Sequence, residues 1–93
     1  MKTLLYRRME DEAGSSVELA IQVKPRLARP PIYVVSTLND SRRDWDVRVE
    51  YTKGPELKWA TRSPWRTLAP NPAKLAMASF TRDVQEYERM GYR

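Results

Sequence analysis

The sequence predicts an α+β protein: an antiparallel β-meander of four to five strands, with one C-terminal helix packed on one face. Three observations carry this. Residues 17–24 and 45–52 alternate apolar and polar side chains with the period of a half-buried strand. Residues 73–87 carry an apolar stripe at three-four spacing, the period of a helix. Short connections favour pairing between neighbours in sequence, which makes a meander.

Each element has its own reason. Residues 2–9 read as a first strand, joined through the turn Gly14-Ser15-Ser16 to a second over 17–24. In that second strand Val17, Leu19, Ile21 and Val23 share one face, and Glu18, Gln22 and Lys24 the other. Pro25 and the Pro30-Pro31 pair are expected to bracket an extended linker, because the residue before a proline is pushed into extended backbone. Residues 31–38, with Ile32, Val34, Val35 and Leu38, read as a central strand partly buried on both faces, closed by the turn Asn39-Asp40-Ser41.

A fourth and a fifth strand, 45–52 and 56–62, are expected to form a hairpin about Lys53-Gly54-Pro55. In that register Tyr51 faces Leu57, Val49 faces Trp59, Glu50 meets Lys58 and Asp46 meets Arg62. Apolar side chains pair with apolar ones and acids with bases, an agreement that a one-residue slip destroys. Trp65 to Leu68 reads as a short extended or irregular piece after Ser63-Pro64. Asn71-Pro72 starts the helix, since Asn caps and Pro at the first position lacks only a donor that has no partner there. Ala73, Ala76, Met77, Phe80, Val84 and Tyr87 form the stripe, and Gly91 ends it, so the helix spans about 72–90.

Composition narrows function by what it lacks. The 93 residues include no histidine and no cysteine. Histidine is the usual proton shuttle near neutral pH, and the two together supply most zinc ligands and a common nucleophile. Thiol chemistry, disulfides, zinc sites and most triad-type catalysis are therefore excluded, and neither catalytic residues, a cofactor nor a metal site is expected. Asp46 followed by Glu56-Leu57-Lys58 matches the acid, acid-x-lysine order of metal-dependent nucleases. Those enzymes need both carboxylates on one magnesium, whereas the hairpin register sets these acids about 17 Å apart. An apolar share of 41% suffices for one core, and residues 1–93 read as a single small domain. No stretch approaches the length of a membrane span and no signal-peptide apolar region is present, so a cytoplasmic protein is the expectation.

Charge and aromatics point to binding. Seventeen basic residues against 12 acids give a net charge of +5. No acid lies between Glu56 and Asp83, whereas Lys58, Arg62, Arg66, Lys74 and Arg82 all do, beside Trp59 and Trp65. The partner-binding candidates are Arg42, Arg48, Arg62, Trp65, Arg66, Lys74 and Arg82. Arg42, Asp44, Asp46, Arg48 and Glu50 are expected to line a solvated outer face of the sheet. Tyr6, Tyr33, Trp65 and Tyr92 are aromatics that the pattern does not assign to the core.

Two readings follow. The first is a non-catalytic inhibitor or adaptor that docks on a larger protein or nucleoprotein complex, a size and fold common among phage and mobile-element accessory proteins. The alternative is a direct nucleic-acid binder using Arg62, Trp65, Arg66, Lys74 and Arg82 on a basic, Trp-containing surface between residues 57 and 82. A homodimer through an unpaired edge strand fits either one.

Overall fold

The computed structural model describes residues 1–39, 44–54 and 66–93, with 44–47 as backbone alone. Five strands and one helix follow in order: β1 (Lys2–Glu10), β2 (Ser16–Arg26), β3 (Arg29–Asn39), β4 (Asp44–Lys53), β5 (Arg66–Ala69) and α1 (Pro72–Arg89). The strands lie side by side in sequence order, and α1 packs on the sheet. The architecture is α+β, a mostly antiparallel five-stranded sheet with a C-terminal helix on one face.

β1 pairs antiparallel with β2, Met9 opposite Val17 and Arg7 opposite Leu19. Within β1, Met9 is buried and Leu5 half-buried, as suits an edge strand. The turn between them is closed from both sides: the Asp11 amide donates to the Ser15 carbonyl at 3.0 Å, and the Ser15 amide to the Asp11 carboxylate at 2.8 Å. Gly14 supplies the left-handed step, with φ +86°.

The proline segment is a hairpin rather than a linker. β2 continues to Arg26 and β3 begins at Arg29, leaving Leu27-Ala28 as the loop. The register shifts between Lys24 and Arg26, so Pro25 faces Pro30-Pro31 across an irregularity, where a missing N–H does not interrupt a ladder. The Arg26 side chain holds this end. It donates to the Pro30 carbonyl at 2.9 Å and to the Thr52 hydroxyl on β4 at 3.0 Å.

β3 is central, as its two-faced hydrophobicity predicts. It pairs antiparallel with β4, Val35 opposite Val49 and Ser36 opposite Arg48. The register shifts by one between Thr37 and Leu38, so Trp45 partners Leu38.

The fifth strand differs from the expected hairpin. β5 runs parallel to β4, with Glu50 opposite Arg66 and Tyr51 opposite Thr67. The described neighbours of Glu50 and Tyr51 on this edge of β4 are Arg66 and Thr67, and the expected partners Lys58 and Leu57 lie outside the described residues. The expected strand 56–62 lies outside the described residues. So do the pairs Val49–Trp59 and Asp46–Arg62, and the separation of Asp46 from Glu56 that rests on them. Lys53 and Arg66 are 13 positions apart, the length of crossover that a parallel connection needs.

The helix follows its sequence signals closely. The Asn71 carboxamide accepts from the Lys74 amide at 3.2 Å, and Pro72 opens the first turn. At the other end the Gly91 amide bonds to the Glu88 carbonyl at 3.1 Å and the Tyr92 amide to the Tyr87 carbonyl at 3.0 Å. These are the two bonds of a Schellman cap, with Gly91 left-handed at φ +95°. The ring pair Tyr87–Tyr92, edge to face at 5.2 Å, supplies its apolar contact. Arg93 then bonds to Glu10 through both backbone groups, at 3.0 and 2.8 Å, tying the chain end to the edge of β1.

The core lies between α1 and one sheet face. Met9, Val17, Leu19, Ile21 and Val35 from the strands meet Ala76, Phe80, Val84 and Tyr92. Burying an aliphatic or aromatic side chain of this size contributes about 1.5–3 kcal/mol.

Candidate binding face

The second sheet face carries the candidate site. Cross-strand partners place side chains in rows: Tyr6, Ala20, Ser36 and Arg48 form one, and Gln22, Val34, Glu50 and Arg66 the next. Strands lie about 4.8 Å apart, so Tyr6 and Arg48 stand roughly 14 Å apart along their row.

This face differs from the fully solvated charge ladder that alternation implies. Its middle is buried at Ala20, Ile32, Val34, Ser36 and Thr52. Charged and aromatic groups frame that middle. Tyr6, 52% exposed, donates its hydroxyl to the Glu18 carboxylate. Arg8 pairs with Glu10, and Arg66 with Glu50 at 3.2 Å. Arg48 is exposed and makes no ion pair among the described residues.

The expected partner-binding residues divide between two sides of the molecule. Arg48 and Arg66 belong to this face. Arg66 is half-buried and already held by Glu50, so it is not the free cation that the sequence suggests. Its strand is parallel and its partner lies on β4, a juxtaposition that no local pattern announces. Lys74 and Arg82 are exposed on α1, in the layer across the sheet. Arg42, Arg62 and Trp65 lie outside the described residues. Lys58 and the side chains of Asp44 and Asp46 do too, so Arg48 and Glu50 are the described members of the expected outer ladder.

The unassigned aromatics separate clearly. Tyr92 is buried in the helix cap and Tyr33 is half-buried against the core. Tyr6 is presented to solvent on the second face, held by its bond to Glu18. Alternation in β1 and β2 hints at Tyr6, since their small apolar partner Ala20 sits on a polar face. Pairing of the two strands is needed to bring Glu18 beside it.

A cleft of about 110 Å³ opens in the same face, lined by Met1, Gln22, Val34, Ser36 and Arg48. The Ser36 hydroxyl is buried and has no hydrogen-bond partner among the described residues. A buried hydroxyl left unpaired costs about 1–3 kcal/mol, so this one stands out among the described residues, whose other buried side-chain polar atoms are bonded. Thr52, also buried, donates to the Pro31 carbonyl at 3.0 Å.

The helix start is a weaker feature. Its first turn holds no acid, and Lys74 there is exposed. The Asn71 carboxamide already takes the Lys74 amide. Among the described residues no group of three or more acids stands together as metal ligands do, and no helix is long and apolar enough to cross a membrane.

The fold and this face define a class: an α+β protein with a helix on one sheet face and a polar-framed surface on the other. The chain matches no family model, no curated protein and no solved structure.

Proposed function

We propose that this protein is a non-catalytic binding module, an inhibitor or adaptor of the phage-accessory kind, that docks on a larger protein or nucleoprotein through the sheet face opposite α1. The observation that carries the reading is Tyr6. A large aromatic side chain, half exposed and fixed by its hydroxyl to Glu18, shares a row with Arg48, which makes no ion pair among the described residues. Tyrosine and arginine are enriched among the side chains that anchor protein interfaces, the ring giving a large contact at low entropy cost and the guanidinium a fork of directed donors. The rigid sheet beneath fixes their spacing before a partner arrives.

The nucleic-acid alternative has less support. Arg66 is neutralised by Glu50, and Lys74 and Arg82 are the exposed cations of that set among the described residues.

The test is affinity capture from the native host with three baits: the wild-type chain, a Tyr6→Ala/Arg48→Glu variant and a Lys74→Glu/Arg82→Glu variant. The expected result is one stoichiometric partner, lost with the first variant and kept with the second. Retention by the first variant overturns the reading. Oligonucleotide anisotropy at two salt concentrations covers the alternative. Binding that falls by orders of magnitude as salt rises, and is abolished in the Lys74→Glu/Arg82→Glu variant, favours nucleic acid.

A further inference from the structure

We propose that the cleft between β2, β3 and β4 is a carboxylate-binding site, with the Arg48 guanidinium and the Ser36 hydroxyl as its donors. The site shares Arg48 with the docking reading but does not rest on it; that reading enters as one source of the carboxylate.

Three features place donors that lack acceptors among the described residues in one space. Ser36 and Arg48 are direct cross-strand partners, so their side chains rise from the same face side by side. Ser36 is 3% exposed, and its hydroxyl has no partner among the described residues although it lines a cleft of about 110 Å³. Arg48 would have Glu50, two positions along its own strand, as a natural counter-ion. That carboxylate is held instead by Arg66 at 3.2 Å. β5 thus neutralises Glu50 from its far side, and among the described residues Arg48 has no carboxylate partner.

The chemistry of the lining selects the ligand. A planar guanidinium offers two parallel N–H donors that match the two oxygens of a carboxylate. The Ser36 hydroxyl adds a third donor. Gln22, whose amide makes a long 3.4 Å contact to the Thr3 hydroxyl, lies on the same wall. Val34 and Met1 give apolar sides. One arginine balances one negative charge. A phosphate, at about −1.5 to −2, carries more charge than the single charged side chain of the lining offsets. Met1, 63% exposed, and the exposed Arg48 side chain are the walls able to move aside for entry.

Nitrogen-15 NMR of the full chain at neutral pH tests this, with arginine Nε–H signals observed. Sodium acetate is titrated against sodium chloride at matched ionic strength, followed by a short Glu-rich peptide and by inorganic phosphate. Acetate is expected to shift Ser36, Gln22 and Arg48 signals saturably, with a dissociation constant on the order of 1 mM. Arg48→Gln is expected to weaken this about tenfold. Ser36→Ala should weaken it several-fold without lowering the melting temperature, since it removes an unpaired buried hydroxyl; a core role for Ser36 would lower it. A peptide that binds at least as tightly as acetate assigns the carboxylate to a partner's side chain. Acetate binding without peptide binding assigns it to a free small carboxylate, and leaves the site standing even where docking fails. Equal shifts with chloride, tighter binding of phosphate, or unchanged affinity in folded Arg48→Gln overturn the proposal.

Discussion

The two faces of one sheet are built from alternating residues of the same strands, yet they do different work. On the helix side, Val17, Leu19, Ile21 and Val35 meet Phe80 and Val84, an apolar contact without charged members. On the opposite side, Ala20, Val34 and Ser36 are just as buried, but Tyr6, Glu18, Arg48, Glu50 and Arg66 frame them. Apolar burial is non-directional and tolerates no water, so the first face sets stability. Hydrogen bonds and ion pairs are directional and each is worth little in water, so the second face contributes geometry more than stability, as the proposed binding role requires. The comparison teaches that a large effect on stability and a large effect on binding should map to opposite sides of β2 and β3.

The strongest way to break the comparison is at its centre. Phe80→Ala is expected to destabilise by about 3–5 kcal/mol in urea unfolding, and Tyr6→Ala by about 1 kcal/mol or less. Comparable losses would mean that the second face carries the fold as well. The helix cap gives the next effect. Gly91→Ala forces a side chain into the left-handed region, at a cost of about 1–2 kcal/mol. Amide exchange at Glu10 and Arg93 should quicken with it, because the cap aims Arg93 at β1. Protection that persists there would uncouple the chain end from the helix.

Arg66→Ala sharpens the account of the second face. The pair with Glu50 is partly exposed, with side chains 40% and 17% accessible, so the loss should be about 1 kcal/mol or less in thermal unfolding. Freed from Arg66, Glu50 is expected to compete for Arg48 and to weaken acetate binding.

The smallest effect comes from Asp83, half-buried on α1. Burial pushes its carboxyl above the ordinary 3.8; Arg82 opposes this and Glu86 reinforces it. The folded state then binds the proton more tightly than the unfolded state does. This group's contribution therefore falls as pH rises from 3.8 through the folded value, and is unfavourable at neutral pH. Asp83→Asn should gain stability relative to wild type over that window, with the difference level above it. A constant difference across pH would remove the effect.

Much of the fold was written locally. Period-two alternation identified β2 and β4, two-faced hydrophobicity placed β3 at the centre, and Asn71-Pro72 and Gly91 bounded α1, because each signal lies within a few residues of what it specifies. The proline pair misled, since a linker and a bulged hairpin both satisfy extended backbone before proline. Only the pairing of β2 with β3 separates them. The tertiary structure alone decided the parallel placement of β5, because four residues carry too little pattern to set a register and no tight turn joins parallel strands. From that placement follows the Glu50–Arg66 pair. Composition by itself determined that histidine and cysteine chemistry is absent. Where the remaining charges meet depended on which strands became neighbours, a long-range choice made by burial of the apolar face rather than by the charges themselves.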